Sequence, residues 1–367
     1  MKPKVIAFYL PQYHPVKENN EWFGEGFTEW TNVAKAKPLF KGHDQPRVPR
    51  DLGFYDLRLP EVRAKQADLA KEAGIDAFCY YHYWFGNGKV MLEKPLQEVV
   101  KLGEPDFPFC ICWANHSWYK KNWNPDIKRI DQALLLEQVY PGDEDIIAHF
   151  NFLLPAFKDK RYFKVEGKLL FAIYNIKEIS DFVRFKSIWN KLAKDNGLPE
   201  FYFLSYTTVI DDISTEAFKQ TDGTILALHS RVENKQNFSK LNELRLIIKS
   251  KISQWTKKPL SKYSYSDAMK YFLDPICKQE NVVPVILPNW DYTPRRGAGG
   301  LILYDATPKL FGKHVRQTLE MIKDKPGEKQ LVFIKSWNEW GEGNYMEPDL
   351  TYGKGYIEAL RQEIDRR

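Results

Sequence analysis

The 367-residue chain predicts a (β/α)8 (TIM) barrel, class α/β, in a single catalytic domain over residues 1–367. Three observations predict it. Short apolar runs alternate eight times with longer amphipathic stretches, the unit count of that barrel. Most of the runs are apolar almost without interruption, as expected of parallel strands covered on both faces. Polar and aromatic residues gather just after the runs, where the strand ends of a barrel converge on one face. A doubly wound sheet is the competing architecture, but no glycine-rich phosphate turn follows the first run.

The first strand is placed at Val5–Leu10 and its helix at Pro60–Ala73, opened by proline and closed by Gly74. The second strand lies within Ile75–Phe85, followed by a helix over Leu92–Leu102. The third is Phe109–Trp113, with a helix over Glu144–Phe157. Leu169–Tyr174 and Ile179–Asn196 form the fourth unit, Phe201–Tyr206 and Ser214–Gln220 the fifth. The sixth strand, Thr224–Leu228, precedes helical stretches at Lys240–Trp255 and Ser266–Glu280. Val282–Leu287 with Lys309–Lys323, then Leu331–Lys335 with Lys354–Asp365, complete the count. Three connections are long: residues 11–58 after strand one, 117–142 after strand three and 229–265 after strand six. Long loops on one end of a barrel commonly build a substrate cleft. No linker, repeat or low-complexity tract divides the chain.

Aromatic residues make up 15% of the chain, enough to supply both a large core and flat platforms for sugar rings. The formal charge of +6 is spread along the chain and no nucleic-acid-binding module signature appears. Lysines gather modestly at Lys249–Lys258, as a solvated helix face or a patch for anionic polymer or peripheral membrane contact. The N-terminus reads as a buried strand rather than a signal peptide, and no apolar run is long enough to span a membrane. The four cysteines form neither a disulfide framework nor a zinc pattern, so the expectation is a reduced, cytoplasmic protein without metal or cofactor.

Each predicted strand ends in polar and aromatic residues. Strand one ends in Tyr13 and His14, strand two in His82, Tyr83 and Trp84, strand three in Trp113, Asn115 and His116. Strand five ends at Tyr206, strand seven in Trp290, Asp291 and Arg295, and strand eight in SWNEWGEG, with Trp337, Asn338, Glu339, Trp340 and Glu342. Glu29 and Trp30 in the first long loop either fold over the barrel mouth or pack beside it. All of these are candidate cleft residues. Glu339 and Glu342 carry the chemistry in this reading, since two carboxyls flanking one cleft are the usual apparatus of glycoside cleavage. Aromatic neighbours would desolvate one of them and keep it protonated. The alternative is a structural pair, one carboxylate binding backbone amides and the other Arg295 or Arg296. The histidines at three strand ends lack metal-site spacing. Asp143 and Asp145 in GDED read as a helix start.

The motifs AFYLPQYHP, GEGFTEWTNV, DAFCYYHYWF, MLEKPL, CWAN, WDYTPRR and SWNEWGEG, in this order, resemble the WbsX-type family found in bacterial O-antigen and capsule gene clusters. That family is similar in turn to glycoside hydrolase family 99, retaining (β/α)8 endo-α-mannosidases and mannanases. The resemblance implies that Glu339 and Glu342 are the catalytic pair. Glu339 would assist attack of the substrate's own 2-hydroxyl on C1, through an anhydro-sugar, and Glu342 would be the general acid/base. It implies an α-mannose-like oligo- or polysaccharide substrate. A glycosyltransferase or transglycosylase of surface-polysaccharide biosynthesis, or an inactive glycan-binding protein, are the alternatives. Two departures stand out: His116 occupies a position where the family commonly has an acid, and Tyr292 one where it commonly has asparagine.

Overall fold

The computed structural model describes residues 2–120, 133–234 and 240–366. Eight strands form the barrel: β1 (Lys4–Tyr9), β2 (Ala77–Trp84), β3 (Phe109–Trp113), β4 (Lys168–Ile173), β5 (Phe201–Thr207), β6 (Gly223–Leu226), β7 (Val282–Ile286) and β8 (Leu331–Ile334). Each pairs in parallel with its sequence neighbours, from β1 alongside β2 round to β8. The ring closes where β8 pairs with β1, at Val5↔Val332 and Ala7↔Ile334. This is the predicted (β/α)8 barrel.

The barrel helices are α1 (Pro60–Ala73), α2 (Lys94–Leu102), α3 (Asp143–Phe157), α4 (Phe182–Asp195), α5 (Glu216–Lys219), α6 (Lys240–Thr256), α7 (Pro308–Ile322) and α8 (Gly355–Asp365). Local sequence sets their ends. Asp181 caps α4 by accepting the Arg184 amide, and Thr307 caps α7 by accepting that of Leu310, with Pro308 at the first turn. The predicted helix over Ser266–Glu280 is not continuous. Tyr265–Ala268 forms one turn, and two short 3-10 segments follow at Met269–Tyr271 and Pro275–Lys278. Pro275 supplies no N–H and disfavours helical backbone before it, which breaks the run.

The barrel interior is filled rather than hollow. Phe8 stacks on Tyr81 at 5.2 Å and meets Phe333 at 5.0 Å and Tyr206 at 6.1 Å. A second aromatic layer lies outside the strands. There Trp189 of α4, fully buried, touches Phe157 of α3, Phe171 of β4 and Phe201 of β5. Much of the aromatic share therefore builds core, where truncating such a side chain costs about 3–5 kcal/mol. Cys110 and Cys112 share a face of β3, and all four cysteines are buried free thiols.

The long loops cover one end. The first holds two short helices, Lys17–Phe23 and Glu29–Lys35. Of the second, residues 121–132 lie outside the described residues; Trp118–Tyr119 pairs with Leu134–Leu136. In the third, residues 235–239 lie outside them, and α6 leads to a strand, Lys262–Ser264. That strand joins Ile302–Tyr304 and Trp290–Asp291 in a small sheet, so the loop after β7 also shapes this end.

Candidate active site

At the carboxyl ends of the strands lies a cavity of about 200 Å³. Among its lining residues are Tyr81, Tyr83, His116, Tyr174, Arg295 and Lys335, together with both Glu339 and Glu342. Period-two alternation aims the strand side chains inward, as Phe333 of β8 and Lys335 just past its end illustrate. After β8 the chain forms a tight hairpin, Asn338–Glu339 against Asn344–Tyr345, with a 3-10 turn at Trp340–Glu342. That turn sets both carboxyls on the cavity.

Two glycines allow the turn. A Cβ on Gly341 would stand 1.6 Å from Glu29 Oε1, so only glycine lets the Glu29 carboxylate reach the hairpin. Gly343 has φ +61°, and a Cβ there would also press on the Asp291 backbone at 2.8 Å. Close approach is thus what the glycines of SWNEWGEG serve.

The carboxyls share a buried network of ionic groups. Arg295 binds Glu29 through two bonds of 2.9 Å and also donates to Glu342. Lys335 Nζ lies 3.1 Å from Glu339 Oε2 and 3.8 Å from Glu342 Oε2. Ser336 donates to Glu339 at 2.7 Å. One amide nitrogen, Asn344 Nδ2, reaches Glu339 at 3.4 Å and Glu342 at 3.3 Å. The nearest oxygens of the pair therefore lie no further apart than the sum of those two distances.

Three carboxyls face two cations in this cluster, so full ionisation would leave one net negative charge in a buried site, which burial opposes. One proton restores neutrality, and the surroundings decide its place. Burial pushes the Glu339 carboxyl up, but the Lys335 ammonium, Arg295 and the Ser336 hydroxyl together hold it below the usual range. Burial and the neighbouring Glu339 charge raise Glu342 above it, against Lys335 and Arg295. Of the two, Glu342 therefore holds a proton more readily and Glu339 gives one up more readily.

Of the residues expected at the cleft, Tyr83, His116, Arg295, Glu339 and Glu342 line it. Tyr206 and Trp290 contact residues of the lining: Tyr206 stacks on Tyr174 at 4.6 Å, and the Trp290 ring sits 5.6 Å from Lys335 Nζ. The others are placed elsewhere. His82, Trp84 and Trp113 project outward to α3, where His82 meets His149 Nε2 at 3.0 Å, Trp84 stacks on the His149 ring and Trp113 packs against it. Asn115 ties its turn to Asn175. His14 is bonded to the Pro11 carbonyl, and burial takes its pKa down to about 4. Tyr13 donates to the Asn338 carbonyl, while Asn338 bridges both backbone groups of Leu10. Trp30 packs on Trp340, and Trp340 stacks on Tyr345 and donates to Glu347 at 2.6 Å. Trp337 is fully buried against Phe78. Glu29 acts through Arg295, and Asp291 anchors the first long loop through His43 at 2.8 Å and Gln45 at 2.7 Å. None of these side chains lines the cavity; they are engaged in packing or in internal hydrogen bonds.

Sequence reasoning misses Lys335 and Tyr81 as cleft residues. Alternation from Phe333 and Cys79 is the signal that finds them. The two departures fall at the cleft: His116 and Tyr292 both line it, and burial lowers the His116 pKa to about 4. Among the described residues, no group of three or more His, Cys, Asp or Glu side chains is arranged to hold a metal ion, and no helix is long and apolar enough to cross a membrane.

Comparison with known proteins agrees with this architecture. An endo-alpha-mannosidase of glycoside hydrolase family 99 from Bacteroides thetaiotaomicron superposes with a TM-score of 0.53 at 16% identity, covering 99% of this chain and 96% of that one. A glycoside hydrolase-like protein gives 0.57 at 15% identity, covering 99% and 94%. At these identities the likeness is one of fold. An uncharacterized protein, WxcX, of Xanthomonas campestris pv. campestris is 33% identical over 99% of this chain and 50% of its own length. The chain thus spans about half the length of the curated relatives it matches. The family described as Glycosyltransferase WbsX matches residues 5–360, a span that holds every barrel strand but the first residue of β1 and both cleft glutamates, and the chain belongs to that family.

Proposed function

We propose that the protein is a carbohydrate-active enzyme that breaks an α-mannose-like glycosidic bond with retention, through participation of the substrate's 2-hydroxyl. One observation carries the reading: Glu339 and Glu342 line one cavity within reach of a single amide nitrogen, in surroundings that lower the pKa of the first and raise that of the second. Their upper separation falls short of most of the range of inverting pairs, about 6.5–9.5 Å. Glu339 takes the 2-hydroxyl proton as O2 bonds to C1, and Glu342 gives its proton to the departing glycosidic oxygen. Water then attacks C1 and opens the anhydro-sugar. Glu342 receives the water proton and Glu339 returns its own to O2, so both carboxyls regain their starting states. Tyr81, Tyr83 and Tyr174 offer aromatic faces and hydroxyls to the sugar. Tyr81 Oη and His116 Nδ1 have no hydrogen-bond partner among the described residues, and a sugar hydroxyl would satisfy them.

Incubation with a panel of α-mannans and bacterial surface polysaccharides is expected to release reducing ends, and Glu342→Gln to abolish the release. No release from any glycan would sink the hydrolytic reading. The family description favours a second reading, transfer to a sugar acceptor in place of water at the second step. If the donor is a nucleotide sugar, calorimetric titration shows saturable binding; a flat trace with the common donors rejects that route.

A further inference from the structure

Helix α6 carries an apolar stripe on its outer side. Leu244, Ile248, Ile252 and Trp255 are 53%, 48%, 45% and 86% exposed. Spacings of four, four and three residues stack them on one face. The stripe is not the face that packs on the protein. Ser250 and Gln254, on another side, sit against Gly299, where an added Cβ would approach them to 3.0 and 2.8 Å. That contact joins α6 to the turn after Arg296, a residue of the cleft lining.

The charge around the stripe is equally one-sided. Residues 240–262 hold seven Lys or Arg and one Glu, a net +6 that equals the charge of the whole chain. Lys249 is engaged by Tyr263 Oη at 2.9 Å, and Lys262 lies over the Phe40 ring at 4.0 Å. Arg245, Lys251, Lys257 and Lys258 are exposed, and none forms an ion pair with a side chain the structure describes. On a helical projection Arg245 and Lys251 border the stripe on its two sides.

We propose that α6 docks the protein on an anionic lipid bilayer. Trp255 and the three aliphatic side chains enter the boundary between headgroups and acyl chains, and the bordering cations meet lipid phosphates. The competing occupants each satisfy half of the surface. An anionic polymer pairs with the cations but leaves the apolar stripe in water. A second copy covers the stripe but brings its own +6 segment against this one. A bilayer bearing negative headgroups matches both. The contact lies on the membrane, and it is independent of the glycosyl chemistry proposed for the cleft.

The test is co-sedimentation of the full chain with vesicles of phosphatidylglycerol and phosphatidylcholine, against phosphatidylcholine alone. Binding is expected on the anionic vesicles, weakened by salt. The double variant Ile248→Ser/Trp255→Ser and the double variant Lys257→Glu/Lys258→Glu should each bind about tenfold less tightly or worse, with Tm unchanged. No binding by the parent protein, equal binding to both vesicle types, or retention by Ile248→Ser/Trp255→Ser overturns the proposal. So does sedimentation velocity showing, without lipid, a dimer that this variant dissociates. Tighter binding to dextran sulfate than to the anionic vesicles, undiminished in the apolar variant, assigns the surface to a polymer instead.

Discussion

Lys335 is the side chain that separates the two glutamates. Its ammonium stands closer to Glu339 than to Glu342, so its charge lowers the first carboxyl more. Replacing it by methionine leaves Arg295 to face the three carboxyls alone, and the Glu339 pKa rises. The acid limb of the pH–rate profile should then move to higher pH, with stability reduced by about 3–5 kcal/mol as for other broken buried pairs. Gly341 makes a different demand. Gly341→Ala puts a methyl group where Glu29 Oε1 now lies, and Glu29 must withdraw from Arg295. A loss of about 1–3 kcal/mol in denaturant unfolding, accompanied by loss of turnover, is the expected outcome.

The strand-end hairpin behaves as a unit through Glu347, which lies behind it. Burial raises this carboxyl to about 7, although Trp340, Gln66 and Tyr55 donate to it and favour the charge. The folded protein therefore binds a proton that the unfolded chain releases near its ordinary value of 4.5. This contribution is complete below about pH 4.5 and is lost as pH rises through about 7, on the order of 3 kcal/mol in all. Glu347→Gln should flatten that part of the Tm-against-pH curve; an unchanged slope would show that another group titrates there. Element by element, strand and helix positions were legible because apolar periodicity follows burial directly. Inward and outward facing at the strand ends was not. YYHYWF looks like one polar cluster, yet pleating sends Tyr81 and Tyr83 to the cleft and His82 and Trp84 to α3. Trp84→Phe removes the bond to Asp145 at 3.0 Å and should lower Tm while leaving KM unchanged.

At the scale of the whole molecule, closure of eight parallel strands brings the first loop and the last hairpin together, so that Glu29, Arg295 and Glu342 meet across most of the chain's length. The barrel was readable from eight apolar runs, and the glutamate pair from its place after the last. The ionic network was not, because Lys335 reads as the end of an apolar strand and only the closed barrel turns it toward both carboxyls. The proposed chemistry requires Glu342 to hold its proton more tightly than Glu339. Carbon-13 NMR titration of carboxyl-labelled glutamates in the full chain measures this without a substrate, with Glu339→Gln and Glu342→Gln assigning the signals. Glu342 should titrate above Glu339, and Glu339→Gln should move Glu342 downward by removing the neighbouring charge. Titration of Glu339 above Glu342, or of both together in the ordinary carboxylate range, would contradict the assignment of base and acid.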